Sequence, residues 1–230
     1  MENITTEEKK VFTDRKRTNI LRNLEQPVLV FLCRILPRFI TPDMLTATGI
    51  LGSFMVLLGF LIARTPELKG FLFLSIFGFA VNWFGDSMDG RIAYFRETPR
   101  KWYGFALDCM MDWMSLVTIG IGYYFYVQGD FRIYVFTFCC AYAWAMLVAQ
   151  IRYKITNVYS IDSGLLGPTE VRVIICLVIL SEYLWSGSME LFSIVVNIIL
   201  ILTNTIDTVK LIKLGDERDI SERKQKEASL

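Results

Sequence analysis

Six stretches of this chain are apolar for long enough to cross a lipid bilayer. That constrains the fold sharply, because hydrocarbon offers backbone groups no water to bond and admits only helices or closed barrels. The stretches are Asp43–Ala63, Gly70–Arg91, Gly104–Val127, Phe131–Arg152, Glu170–Ser186 and Met189–Leu211, the fifth being short for the purpose. With 53% of its 230 residues hydrophobic, the chain departs from soluble composition. The expected fold class is all-α, an integral membrane bundle of six transmembrane helices. No internal repeat is visible, unlike the inverted halves of many transporters.

Ahead of the first span, Leu21, Leu24, Val28, Phe31, Leu32, Ile35, Leu36 and Phe39 recur at helical spacing, with Arg22, Arg34 and Arg38 among them. This pattern predicts an interfacial amphipathic helix that can also pack on the end of the bundle, with Pro27 opening its main part. Thr41 and Pro42 then form a helix start, with Thr41 as N-cap. The chain divides into residues 1–40, an N-terminal segment carrying the interfacial helix, 41–214, the six-helix domain, and 215–230, a charged tail read as a solvated helix or disordered end without chemistry.

Lys and Arg are retained on the cytoplasmic side of a membrane. Lys9, Lys10, Arg96, Arg100, Lys101, Lys154 and Lys213 fall on one side, against Arg64, Lys69 and Arg132 on the other. Both termini are therefore expected in the cytoplasm. The polar start MENITTEEKK lacks the pattern of a cleaved signal peptide.

There is no His, which removes Ser-His-Asp and HExxH chemistry. Cys33, Cys109, Cys139, Cys140 and Cys176 lie in apolar segments without a CxxC pair and read as packing residues. The net charge of +1 gives no sign of a nucleic-acid partner, and none is expected.

Against this oily background the segment DSMDGRIAYFRETPRKWYGFALDCMMD stands out. Asp86 and Asp89 are three residues apart and Asp108 and Asp112 four apart, so each pair shares a helix face. If spans two and three are antiparallel neighbours, all four carboxylates converge at the cytoplasmic end. Like charges held there are costly unless divalent cations compensate them, and carboxylate oxygen is the ligand that Mg²⁺, Mn²⁺ and Ca²⁺ prefer. A site for one or two metal ions follows, and with Gly85 and Gly90 beside it for close approach it suits chemistry on phosphates. The plainer reading, aspartates at helix ends in water, fits any one of them better than all four.

The pattern Asp86-x2-Asp89-Gly90-x2-Ala93, then Gly104-x3-Asp108-x3-Asp112, resembles the signature of the CDP-alcohol phosphatidyltransferase family, and residues of about 40 to 212 would correspond to its six-helix core. The resemblance implies an enzyme of phospholipid biosynthesis. It would transfer a substituted phosphate from a CDP-linked donor, foremost CDP-diacylglycerol, to a small alcohol acceptor with release of CMP. It implies two ions of Mg²⁺ or Mn²⁺ on Asp86, Asp89, Asp108 and Asp112, with Asp112 also the catalytic base. Asp86, Gly90, Ala93 and Gly104 would bind the nucleotide. Two departures are present: Tyr94 stands where the family has Arg, and the spacing to Gly104 is one residue longer. Arg91 or Arg96 could supply the guanidinium.

For the acceptor, Arg152, Lys154 and Arg172 correspond to basic residues with which family members bind inositol phosphate, which favours that acceptor or a similar polyol. They also fit ordinary positive-inside charge. Gly167-Pro168-Thr169-Glu170 resembles instead a segment of the aminoalcohol phosphotransferase branch, which uses CDP-choline or CDP-ethanolamine, although Cys109 replaces that branch's usual His. Similarity further implies a homodimer, and the short loops suggest a prokaryotic inner membrane. The remaining alternatives are a UbiA-type prenyltransferase, a cation transporter and a relative that has lost activity.

Overall fold

The computed structural model describes residues 21–156 and 167–228. Among the described residues are seven α-helices: α1 (Arg22–Ile35), α2 (Pro42–Ile62), α3 (Leu72–Phe95), α4 (Lys101–Tyr126), α5 (Arg132–Thr156), α6 (Pro168–Leu184) and α7 (Ser188–Ala228). Short 3₁₀ turns, Pro66–Phe71 and Gly129–Phe131, lead into α3 and α5. No strand occurs among the described residues.

Five helices, α2, α3, α4, α5 and α7, are long and apolar enough to cross a membrane. The expected fifth span is the 17-residue α6, shorter than these five. The helix of the last span does not end near Leu211, because α7, 41 residues long in all, runs on through the charged tail to Ala228. Nor is that tail only solvated: Arg218 donates to the carbonyls of Lys154 and Ile155 at 2.9 and 2.6 Å and so caps the C-terminus of α5.

The α2 start is as the sequence predicts, with the Thr41 hydroxyl accepting from the Met44 amide at 3.2 Å and Pro42 in the first turn. Pro27, however, lies inside α1 rather than opening it. That helix packs inward through Leu29, Val30 and Cys33 onto Leu45, Met88 and Ile92. Leu24, Val28, Phe31 and Ile35 form a second apolar face, which remains exposed. Burial pushes the Cys33 thiol up to about 11, so it stays protonated at neutral pH.

The tightest seam is between α2 and α3. A Cβ on Gly78 would sit 2.7 Å from the Gly52 carbonyl oxygen, and one on Gly85 would sit 2.5 Å from that of Leu45. These helices touch backbone to backbone, which only glycine permits. On the far side of the bundle, Phe60, Leu72, Phe79, Ile179 and Met189 form a second apolar core. There the buried Glu182 accepts from the amides of Gly187 and Met189, both at 3.0 Å, and from Tyr126 at 3.1 Å, tying α4, α6 and α7 together.

Helix α3 ends in a Schellman turn, in which the Thr98 amide donates to Ala93 and that of Glu97 to Tyr94. Glu97 takes the left-handed position usually given to glycine, with φ 59°. The turn leads the chain into α4, and the expected direct pairing of spans two and three is not found: α3 and α4 each pack chiefly on α2, which holds their aspartates toward one another.

Candidate active site

One carboxylate oxygen from each of Asp86, Asp108 and Asp112 lies within 4.8 Å of the others, on side chains that are half-buried. Helical geometry explains the grouping. At about 100° per residue, Asp112 returns to within about 40° of Asp108, while Asp89 is turned about 60° from Asp86. Asp89 accordingly stands beside the trio. Its carboxylate accepts from the Thr46 hydroxyl at 2.7 Å and from the Gly90 amide at 2.5 Å. All four aspartates line one small cavity with Thr46, Asn82 and Ser115.

Hard oxygen donors at this separation fit a divalent cation, and repulsion among them demands positive charge. One cation comes from the protein, since Arg172 of α6 donates to Asp86 at 2.7 Å.

Toward the α3–α4 loop the small cavity shares Thr46, Asp89 and Asp108 with a pocket of about 110 Å³ that also includes Gly90, Ala93 and Gly104. A Cβ on Gly90 or Gly104 would meet nothing within 4 Å. Their bareness therefore leaves space for a ligand rather than for a neighbouring helix. The nucleotide candidates predicted from sequence are thus brought together with the aspartates.

Tyr94 lines this pocket, and neither Arg91 nor Arg96 does. Arg91 is buried, bonded to the Ser87 carbonyl and 3.6 Å from Glu25 of α1. Arg96 donates to the carbonyls of Leu36, Pro37, Arg38 and Ile40 and fixes the turn after α1. The cations on the pocket wall are Arg100 and Lys101. Arg100 is bonded to Asp43, which raises its pKa further above the ordinary value, and stands 4.1 Å from the Tyr103 ring centre.

In the opposite direction the small cavity shares Asn82, Asp112 and Ser115 with a deeper cavity of about 160 Å³. Its walls come from α2 to α7 and are largely aliphatic and aromatic, Phe60, Phe79, Ile119, Ile175 and Val178 among them. Arg172 lines this cavity, but the other two acceptor candidates do not. Arg152 lies 3.7 Å from Asp207 of α7, and Lys154 is exposed.

The Gly167–Glu170 segment ties two helix starts together. Glu170 accepts from the amides of Gly167 and Leu21 at 3.0 and 2.8 Å, closing the first turn of α6 and anchoring the start of α1. Sequence reading missed Thr46, Asn82 and Ser115 as site residues. Asn82, 3% exposed, donates to the Gly49 carbonyl and the Ser53 hydroxyl at 3.1 Å. A buried amide one turn before Asp86 in an apolar run was the available signal.

The sequence pattern of the CDP-alcohol phosphatidyltransferase family matches residues 39–206, most of the chain. No curated protein matches it.

Proposed function

Because the chain belongs to the CDP-alcohol phosphatidyltransferase family, we propose that it transfers a substituted phosphate from a CDP-linked donor to an alcohol and releases CMP. The observation that carries this reading is the junction of three carboxylates, within 4.8 Å of one another, with a pocket floored by Gly90, Ala93 and Gly104. Asp86, Asp89, Asp108 and Asp112 would hold two ions of Mg²⁺ or Mn²⁺, which when bound neutralise charge on the pyrophosphate.

The protein's own side chains do the rest. The bare backbone at Gly90 and Gly104 admits the nucleotide, and Asp86 and Ala93 complete its contacts. Arg100 and Lys101 supply the positive charge for which the family uses the arginine absent at Tyr94. Thr46 orients Asp89, and Asp112 accepts the proton of the acceptor hydroxyl. Were the acceptor inositol phosphate, Arg172, with Arg152 and Lys154 at the end of α5, would provide charge for its phosphate. Two substrate arrangements suit this chemistry: CDP-diacylglycerol with a polar acceptor such as inositol phosphate, and a CDP-aminoalcohol with a lipid acceptor.

The same proposal includes α6 as a sixth span, the outer face of α1 immersed in the membrane interface, and the aspartates and both termini on the cytoplasmic side. It also includes a homodimer in a prokaryotic inner membrane. The prenyltransferase and transporter readings gain no support from the family match.

CMP release by purified protein with Mg²⁺ or Mn²⁺ tests the reaction. Asp108→Ala is expected to abolish release. Asp112→Asn is expected to lower kcat by about 10²–10⁴-fold, as loss of a general base does, while CMP binding persists. Full activity in Asp112→Asn refutes the base role.

A further inference from the structure

We infer that the acceptor is a membrane lipid carrying a free hydroxyl, and that it reaches Asp112 from within the bilayer through the deep apolar cavity. The inference rests on the transferase reading and names the acceptor class.

Displacement at phosphorus places the attacking and leaving oxygens roughly in line. The leaving group here is CMP, whose room is the pocket around Gly90, Ala93 and Gly104. That pocket meets the carboxylate cavity through Asp89 and Asp108, whereas the deep cavity meets it through Asp112 and Ser115. The nucleophile therefore approaches from the deep cavity, and what fills that cavity is the body of the acceptor.

The lining decides its chemistry. Asp112 and Arg172 are its charged residues, and Arg172 is engaged with Asp86. Asn82, Ser115 and Ser193 add polar atoms and Tyr123 and Tyr142 add hydroxyls. Most of the lining, however, Phe60, Phe79, Ile119, Ile175, Val178 and Phe192 included, presents hydrocarbon. A polyol phosphate placed there would give up its hydration for largely apolar walls, which is unfavourable. The cations that could offset this, Arg152 and Lys154, do not line the cavity. An acyl or alkyl chain, already out of water in the bilayer, enters such a cavity without that cost. The volume, about 160 Å³, takes part of a chain and leaves the remainder in the membrane.

In the step itself the lipid O–H proton passes to the Asp112 carboxylate. The oxygen forms a bond to the donor phosphorus farther from cytidine, the bond from that phosphorus to the CMP oxygen breaks, and CMP leaves with the electron pair. No oxidant or reductant is required.

The test is CMP release by the full chain in lipid nanodiscs with Mg²⁺ or Mn²⁺, in two arms. One arm pairs CDP-ethanolamine and CDP-choline with diacylglycerol, ceramide or a long-chain primary alcohol in the disc. The other pairs CDP-diacylglycerol with soluble inositol phosphate, inositol, glycerol phosphate or serine. Release that depends on the lipid alcohol is expected. Release confined to the soluble-acceptor arm overturns the inference and leaves the transferase reading intact, whereas silence in both arms overturns the two together.

Filling the cavity gives a second readout. Ile175→Trp and, as a milder change, Val178→Phe are expected to lower kcat/KM for the lipid alcohol at least tenfold with CMP affinity unchanged. If they instead raise KM for CDP-diacylglycerol, the cavity holds the donor's tail and the inference fails.

Discussion

Replacing Gly85 by Ala probes the seam that aligns the aspartates. A Cβ there would press hardest on the Gly49 amide nitrogen and lie 2.5 Å from the Leu45 carbonyl oxygen, where ordinary contact begins at 3.4 Å, so α2 and α3 must part by about 1 Å. Both obstacles are backbone, and no rotamer change relieves them. Overpacking of this kind costs about 1–3 kcal/mol. The functional cost is larger. The Thr46–Asp89 hydrogen bond, 2.7 Å long, crosses the same seam, and a parting of that size stretches it beyond bonding distance. Misplacing a reacting group by 1 Å lowers rates by about 10²-fold. CMP release by Gly85→Ala is therefore expected to fall about a hundredfold, with thermal stability reduced modestly in the same detergent. Gly70→Ala is the control, because a Cβ there meets nothing within 4 Å. Wild-type activity in Gly85→Ala would show that the site does not depend on backbone contact between α2 and α3.

Arg172→Gln removes the cation bonded to Asp86, whose side chain is 23% exposed. The metal-free protein is expected to lose about 1.5–3 kcal/mol, the range for a charge-assisted hydrogen bond. Added Mg²⁺ should then raise Tm more in the variant than in wild type, and equal shifts would show that Arg172 does not offset carboxylate repulsion. Glu97→Gly relieves a left-handed residue at the end of α3 and is expected to stabilise the protein by about 1 kcal/mol. A lower Tm would mean that the Glu97 side chain is worth more than the backbone strain.

Much of the site was legible because its geometry is local to helices. Asp108 and Asp112 share a face by spacing alone, and Thr41 with Pro42 fixes where α2 begins. The partners of each aspartate were not legible, since they depend on which helices touch. Thr46 reads as an ordinary residue of an apolar run until Gly49 and Gly85 bring it against Asp89. Arg91 and Arg96 look equally available in the sequence, yet Glu25 and the carbonyls of residues 36–40 engage them. Glu170 reads as part of a family-like segment, whereas its bond to Leu21 spans 149 residues. The extent of α7 escaped for a different reason: hydropathy marks where apolar sequence stops, and a helix need not stop there.

That last helix sets a boundary on the protein's surroundings. At about 1.5 Å per residue, 41 residues make a rod of about 60 Å, twice the hydrocarbon thickness. Held upright, α7 carries about 30 Å of its length beyond the hydrocarbon. Its charged part rises beside the end of α5, where Arg218 fastens it. Any neighbour that approaches the membrane surface there meets a fixed charged post, and the closest distance between the two is set by the protein's shape before specific attraction acts.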